Sequence, residues 1–157
     1  MKIKIEKLNL KIITLLILSI LIVSCNGNQQ NILAEKKTIF KENKWNRFHY
    51  ITHEIDIQDT ISPFQIELEI DYLPSLSAKD IPVIFSIISP DGAESHIRTN
   101  LDLSKSTETP FSSIIHPQKY FNQSGKYSFR FFQKTSQYDI EGVKSVTMKI
   151  VKIRLEK

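Results

Sequence analysis

Apolar and polar residues alternate along most of this chain, and the period is two rather than 3.6. Phe64-Gln65-Ile66-Glu67-Leu68-Glu69-Ile70-Asp71-Tyr72 places an apolar side chain at every even position and a polar one at most positions between. A strand sends successive side chains to opposite faces, so this segment predicts one core face and one wet face. Ile51-Thr52-His53-Glu54-Ile55-Asp56-Ile57 repeats the pattern, with His53 in the apolar register. Residues 82–89 are apolar on both faces, as in a central strand, and Pro82 opens that run where a lost backbone donor costs least. Ser89-Pro90-Asp91-Gly92 predicts a tight turn and a return strand over 93–101. Ser124-Gly125 predicts a second turn before a strand over 126–133. The final run faces Val146, Met148 and Ile150 inward, then Val151, Ile153 and Leu155. That slip of phase predicts a bulge, or a change of neighbouring sheet, at Ile150/Val151.

Helical spacing is confined to Ile32, Leu33, Lys36 and Ile39, which suggest one short helix within residues 28–40. With weaker strand signals at 36–41 and 111–115, seven or eight strands are expected over about 120 residues. A half-apolar sheet needs a second apolar layer, and no helix supplies it. The fold class expected is therefore all-β, a β-sandwich, with a small barrel as the alternative.

The amino terminus follows a different rule. Lys2, Lys4, Lys7 and Lys11 form a basic head, followed by an uncharged run from Ile12 to Val23. As a helix that run is about 18 Å long, short of the roughly 30 Å hydrocarbon core of a bilayer. A basic head, a short apolar run and small residues before a break read as an export signal. Ile22-Val23-Ser24-Cys25 looks like a bacterial lipobox, which places cleavage before Cys25 and acyl chains on its sulfur and its new amine. Several chains on one residue anchor a protein firmly, whereas one alone holds it only marginally. Asn26-Gly27-Asn28-Gln29-Gln30-Asn31 reads as a polar tether. The expected organisation is a signal peptide at 1–24, a lipidated terminus and tether at 25–35, and a β-sandwich domain at 36–157.

Charge then narrows the partners. The 157 residues hold 21 Lys+Arg against 17 Asp+Glu, a formal +4. Four of those lysines and Glu6 precede Cys25, leaving 17 basic and 16 acidic residues afterwards. A domain so nearly neutral gives no electrostatic case for nucleic acid. The lone cysteine excludes an intramolecular disulfide.

Little in the pattern converges on chemistry. His49 and His53 would lie about 13 Å apart along a strand, too far to share a metal ion. Glu67, Glu69 and Asp71 repeat at about 6.6 Å, but a solvated strand face produces the same spacing. No metal site, cofactor or catalytic residue is assigned, and the protein is expected not to be an enzyme. Trp45, Phe48 and Tyr50 form the densest aromatic cluster and are the candidate contacts for a protein partner or a glycan; burial of Trp45 in the core is the competing expectation. Asp59, Pro63, Asp91, Gly92, Gly125 and Gly142 are expected to shape turns.

These landmarks carry a family resemblance. Trp45 is followed by Asp56-Ile57-Gln58-Asp59-Thr60-Ile61-Ser62-Pro63 and then by Ser89-Pro90-Asp91-Gly92. A closing block follows: Gly125-Lys126-Tyr127-Ser128-Phe129, Gln133, Ile140-Glu141-Gly142-Val143-Lys144-Ser145-Val146 and Ile150-Val151-Lys152-Ile153. Over residues 36–155 the chain resembles the GldH-type gliding-motility lipoproteins of the Bacteroidota. The resemblance implies an immunoglobulin-like sandwich held by lipid in the cell envelope. It also implies association with the motility machinery linked to type IX secretion, with no enzymatic activity. The tether lacks acidic residues after Cys25, which favours an outer-membrane protein facing the periplasm. Residues 102–121 depart from the family pattern, containing neither Gly nor Trp where relatives carry both. The function expected is an accessory or scaffolding lipoprotein of an envelope complex. A cell-envelope glycan-binding module is the alternative.

Overall fold

The computed structural model describes residues 31–76, 78–105 and 109–154. The expected signal peptide, Cys25 and most of the expected tether lie outside the described residues, as does Leu155.

Ten strands follow in order: β1 (Asn31–Ile39), β2 (Lys44–Asn46), β3 (Ile51–Ile57), β4 (Phe64–Tyr72), β5 (Asp80–Ile88), β6 (Glu94–Asp102), β7 (Phe111–Lys119), β8 (Gly125–Gln133), β9 (Asp139–Glu141) and β10 (Val143–Lys152). Single 3-10 turns at Lys41–Asn43 and Leu103–Lys105 are the helical structure among the described residues. The strands make two four-stranded antiparallel sheets, ordered β1-β10-β4-β7 and β3-β8-β5-β6, and a two-stranded ladder of β2 and β9. Ile66, Leu68 and Ile70 of β4 and Val146, Met148 and Ile150 of β10 belong to the same buried cluster as Phe85 of β5 and Phe129 and Phe131 of β8. Two separate sheets sharing one core make a β-sandwich rather than a barrel. Its last strand, β10, lies in the first sheet between β1 and β4. That is the strand order of an eight-stranded jelly roll, not the immunoglobulin order that the resemblance implied.

The sequence expectations differ from this structure in three further places. Ten strands are present among the described residues rather than seven or eight. Two of the additional ones, β2 and β9, are three residues long, too short to display a period. Residues 31–39 form a strand rather than a helix, so the ordered pairing begins five residues before the expected domain start at 36. β1 is an edge strand with no buried residue, and tertiary pairing with β10 overrides its helix-like spacing. The irregularity expected at Ile150/Val151 is found in the partner strand. β10 runs evenly past that point against β4, while β1 inserts Leu33 between the residues that pair with Ile150 and Val151. Val151 therefore points away from the core, yet it is only 8% exposed.

The turn residues are held by specific contacts. Asp59 accepts hydrogen bonds from the backbone of Ile61 and Ser62 and pairs with Lys152 at 2.7 Å, tying the β3–β4 connection to the end of β10. The Pro63 carbonyl accepts from the Ile153 amide at 2.9 Å. Asp91 accepts from the Ala93 amide and from the Gln123 side chain, so it joins the β5–β6 turn to the loop before β8. Gly92 has a φ of 86° and Gly125 one of 128°, where a Cβ would meet the Pro90 ring. Gly142 has a φ of 95°, and a Cβ there would lie 3.2 Å from the Leu76 backbone. Positive φ and close approach together favour glycine at that position.

Candidate interaction surface

Trp45 does not lie on the surface. It is 0% exposed, stacked on Phe40 at 5.5 Å, and so cannot serve as a contact for a sugar or a partner. The reason is local: β2 pairs with β9, placing Trp45 opposite Ile140, and both face the core. Its indole Nε1 has no hydrogen-bond partner among the described residues. The other two candidates are exposed, Phe48 at 62% and Tyr50 at 52%.

Phe48 belongs to a small platform built by the two short strands. The Asn46 side chain donates to Asp139 at 2.7 Å and accepts from the Phe48 amide at 2.9 Å. The Arg47 amide donates to the Tyr138 carbonyl at 2.7 Å. These bonds bring Phe48 and Tyr138 to 5.9 Å, and the Arg47 guanidinium sits 5.6 and 5.8 Å from their ring centres. A cation held over aromatic faces is favourable even at an exposed site.

Gln133 supports this platform from below. It is fully buried, accepts from the Thr135 amide and hydroxyl, and points its amide nitrogen at the carbonyls of Trp45, Gln137 and Tyr138 at 3.4–3.5 Å. One side chain thus ties the turn after β8 to β2. In the sequence Gln133 stands only as one landmark of the closing block that carries the family resemblance, with no structural role attached.

Tyr50 opens onto the outer face of the second sheet. Its ring lies 4.7 Å from that of Phe132. Phe132 pairs across to Ile84, and Ile84 to Arg98; on the neighbouring row Arg130 pairs to Ser86, and Ser86 to His96. These residues, with Glu94, line an open groove of about 370 Å³. Among the described residues neither Arg98 nor Arg130 has an ion-pair partner. Arg98 and Arg130 had no signal in the sequence, because strand order alone brings them to one groove.

The groove contains a serine, a histidine and a glutamate, but not in a relay. The Ser86 hydroxyl contacts His96 Nδ1 at 2.7 Å, and the Glu94 carboxylate lies 3.7 Å from the same nitrogen. A nucleophile and an orienting acid must address opposite ring nitrogens. His53 is half-buried beside Thr38 at 3.4 Å, and its pKa is lowered by burial and then by Lys36. His116 is lowered by burial and then by Lys119. Among the described residues no three of His, Cys, Asp and Glu gather as a metal ion would require.

A family model described as GldH lipoprotein matches residues 32–150. No curated protein matches the chain. Among solved structures, a protein from Sulfurospirillum deleyianum aligns over 77% of this chain and 99% of its own, at 11% identity and a TM-score of 0.46. The core of the Drosophila NLP protein aligns over 76% of this chain and 98% of its own, at 11% identity and a TM-score of 0.32. Latent PorU from Porphyromonas gingivalis aligns over 80% of this chain but 14% of its own, at 9% identity and a TM-score of 0.34. Likenesses this distant bear on neither mechanism nor partner.

Proposed function

Because the chain belongs to the GldH lipoprotein family, we propose that it is a lipid-anchored, non-enzymatic scaffolding subunit of an envelope complex associated with gliding motility or type IX secretion. Export and acylation at Cys25 hold it at the membrane, on the periplasmic side of the outer membrane. Its partners are proteins of that machinery. The observation that carries the binding role is the surface of Arg47, Phe48, Tyr50, Phe132 and Tyr138. Tyrosine, phenylalanine and arginine are the residue types enriched where proteins meet.

Mild crosslinking in the native membrane, followed by extraction and mass spectrometry, tests this role. Envelope or secretion components should be recovered with the wild-type protein and depleted with Cys25→Ala. A solitary monomer in both would sink the proposal. The Tyr50–Phe132 groove would also suit a sugar ring, and binding of a cell-envelope glycan with no protein recovered would favour that second role.

A further inference from the structure

Asn31, where β1 begins, is six residues after Cys25. Six residues span at most about 20 Å even when fully extended. That bound ties one end of the sandwich to the lipid. β1 starts there, β10 ends there and the β3–β4 loop turns there: Asn31 pairs with Lys152, which bonds Asp59 of that loop at 2.7 Å. The platform of Phe48 and Tyr138 lies at the opposite end, where β2 follows β1 and β9 follows β8. β4 runs nine residues between the two ends, a separation of about 30 Å.

The end beside the tether displays apolar side chains. Ile32 and Leu33 are exposed, and with Phe64 they line an open hollow of about 240 Å³ whose polar members are Asn31, Asp59 and Lys152. Ile61 is 87% exposed, more than any other bulky apolar side chain among the described residues. Its amide donates to the Asp59 carboxylate at 3.1 Å, which fixes the loop that presents it. Ile39 and Ile114 are exposed as well, but at the far end of β1 and midway along β7. Charges of both signs surround the tether end, with Asp56, Asp59, Asp91 and Glu94 against Lys119, Lys126, Lys152 and Arg154. Attraction to an anionic surface or an acidic partner therefore does not explain the exposed isoleucines. The broad faces suit lipid poorly. The first carries Glu67, Glu69, Asp71, Lys144 and Lys149, and the second Glu54, Arg98 and Arg130, and desolvating such groups is costly.

We propose that Ile32, Leu33 and Ile61 rest at the boundary between headgroups and acyl chains of the membrane that holds Cys25. The sandwich then stands on this end and carries its aromatic platform about 30 Å into the aqueous phase. The acyl chains bring the domain to the surface, so the apolar contact forms within one tethered unit and needs little affinity of its own to orient it. This orientation rests on the anchoring at Cys25 proposed above.

The test uses the acylated protein, purified from its membrane and reconstituted into vesicles of phosphatidylethanolamine and phosphatidylglycerol. Some vesicles contain lipid spin-labelled near the top of the acyl chain. Cys25 is the lone cysteine, so with its sulfur acylated a single introduced thiol takes a nitrobenzoxadiazole label. Ile61→Cys reports on the tether end and Ser136→Cys on the far end; both positions are exposed. The blue emission of buried Trp45 checks the fold. The label at position 61 should lose about half its fluorescence to the spin-labelled lipid, and the label at 136 none. Quenching should persist between about 0.05 and 0.5 M salt, since the contact is apolar. Adding Ile32→Asp and Leu33→Asp should abolish it while the protein still floats with the vesicles. Failure to float would sink the anchoring at Cys25 and this inference with it. Flotation with neither label quenched, or with both quenched equally, would keep the anchor and overturn the orientation. Quenching lost in high salt, or retained in the double aspartate variant, would equally overturn it. So would brightening at position 61 that grows with protein density and ignores the spin label, which would assign the patch to a second copy of this chain.

Discussion

Trp45 illustrates how much one side chain decides. It fills the end of the core against Phe40 and Ile140, so Trp45→Ala should cost about 3–5 kcal/mol, read from urea unfolding. A loss below about 1 kcal/mol would mean that the indole contributes little packing. Sequence alone left its burial open, because Lys44–Asn46 is too short for a period to show which face is inward. Asp91 supports a prediction in pH. The Ser89 hydroxyl first, then the Gln123 amide and the Ala93 backbone, hold its carboxyl down at about 2. Asp59 is depressed too, chiefly by Lys152 and then by the Ser62 and Ile61 amides. A folded-state value below the unfolded value of about 3.9 gives stability that is present above that pH and lost as pH falls towards about 2. Urea midpoints should therefore drop across that window, and less so in Asp91→Asn. Equal acid sensitivity in the variant would remove Asp91 as a contributor.

Among the elements, the strands with one dry face were readable, the edge strand β3 included, and the wet edge strand β1 was not. β3 and β4 have the limits their alternation predicted, because each buries one row of side chains. β1 hid itself. Its inserted Leu33 puts Ile32 and Ile39 on the same face although they are seven residues apart, which breaks the period of two and imitates a helix. Its neighbour β10 is buried on both sides, with Ser145 and Thr147 as dry as the core residues between them. On that outer face Lys149 pairs with Glu69 at 2.6 Å, which raises the lysine pKa despite partial burial. The β2–β9 ladder depends on Gln133, a long-range tie that no local pattern encodes. Gln133→Leu keeps the volume and leaves the Thr135 amide and three carbonyls without this partner. It should cost about 1–3 kcal/mol and accelerate hydrogen exchange over 134–139. Unchanged exchange there would show that the turn is held by its other bonds.

For the whole molecule, the proposed function makes membrane attachment and partner binding separable. It assigns attachment to Cys25 and recognition to side chains on the sandwich, so variants should divide the two phenotypes. Arg47→Glu should remain in the membrane fraction with its fold intact and lose most of the crosslinked partners. Cys25→Ala should leave the membrane while its core exchange is unchanged. If Arg47→Glu recovered partners as well as wild type, the aromatic platform would not be part of the interface. The nearly balanced charge from Cys25 onward means that electrostatic attraction to a partner is local rather than a property of the protein's overall field.

Finally, the pairing of β1 with β10 has a mechanical meaning. Asn31 opens β1 beside Lys152, and the two strands run antiparallel through eight residue pairs. A pull on Asn31 along the axis of β1, resisted by a load on the second sheet, strains those rungs together in shear instead of peeling them one by one. Rupture then requires many hydrogen bonds to fail at once, and its rate is set by an unfolding barrier rather than by equilibrium stability. The strand that was hardest to recognise is the one through which such tension enters the domain.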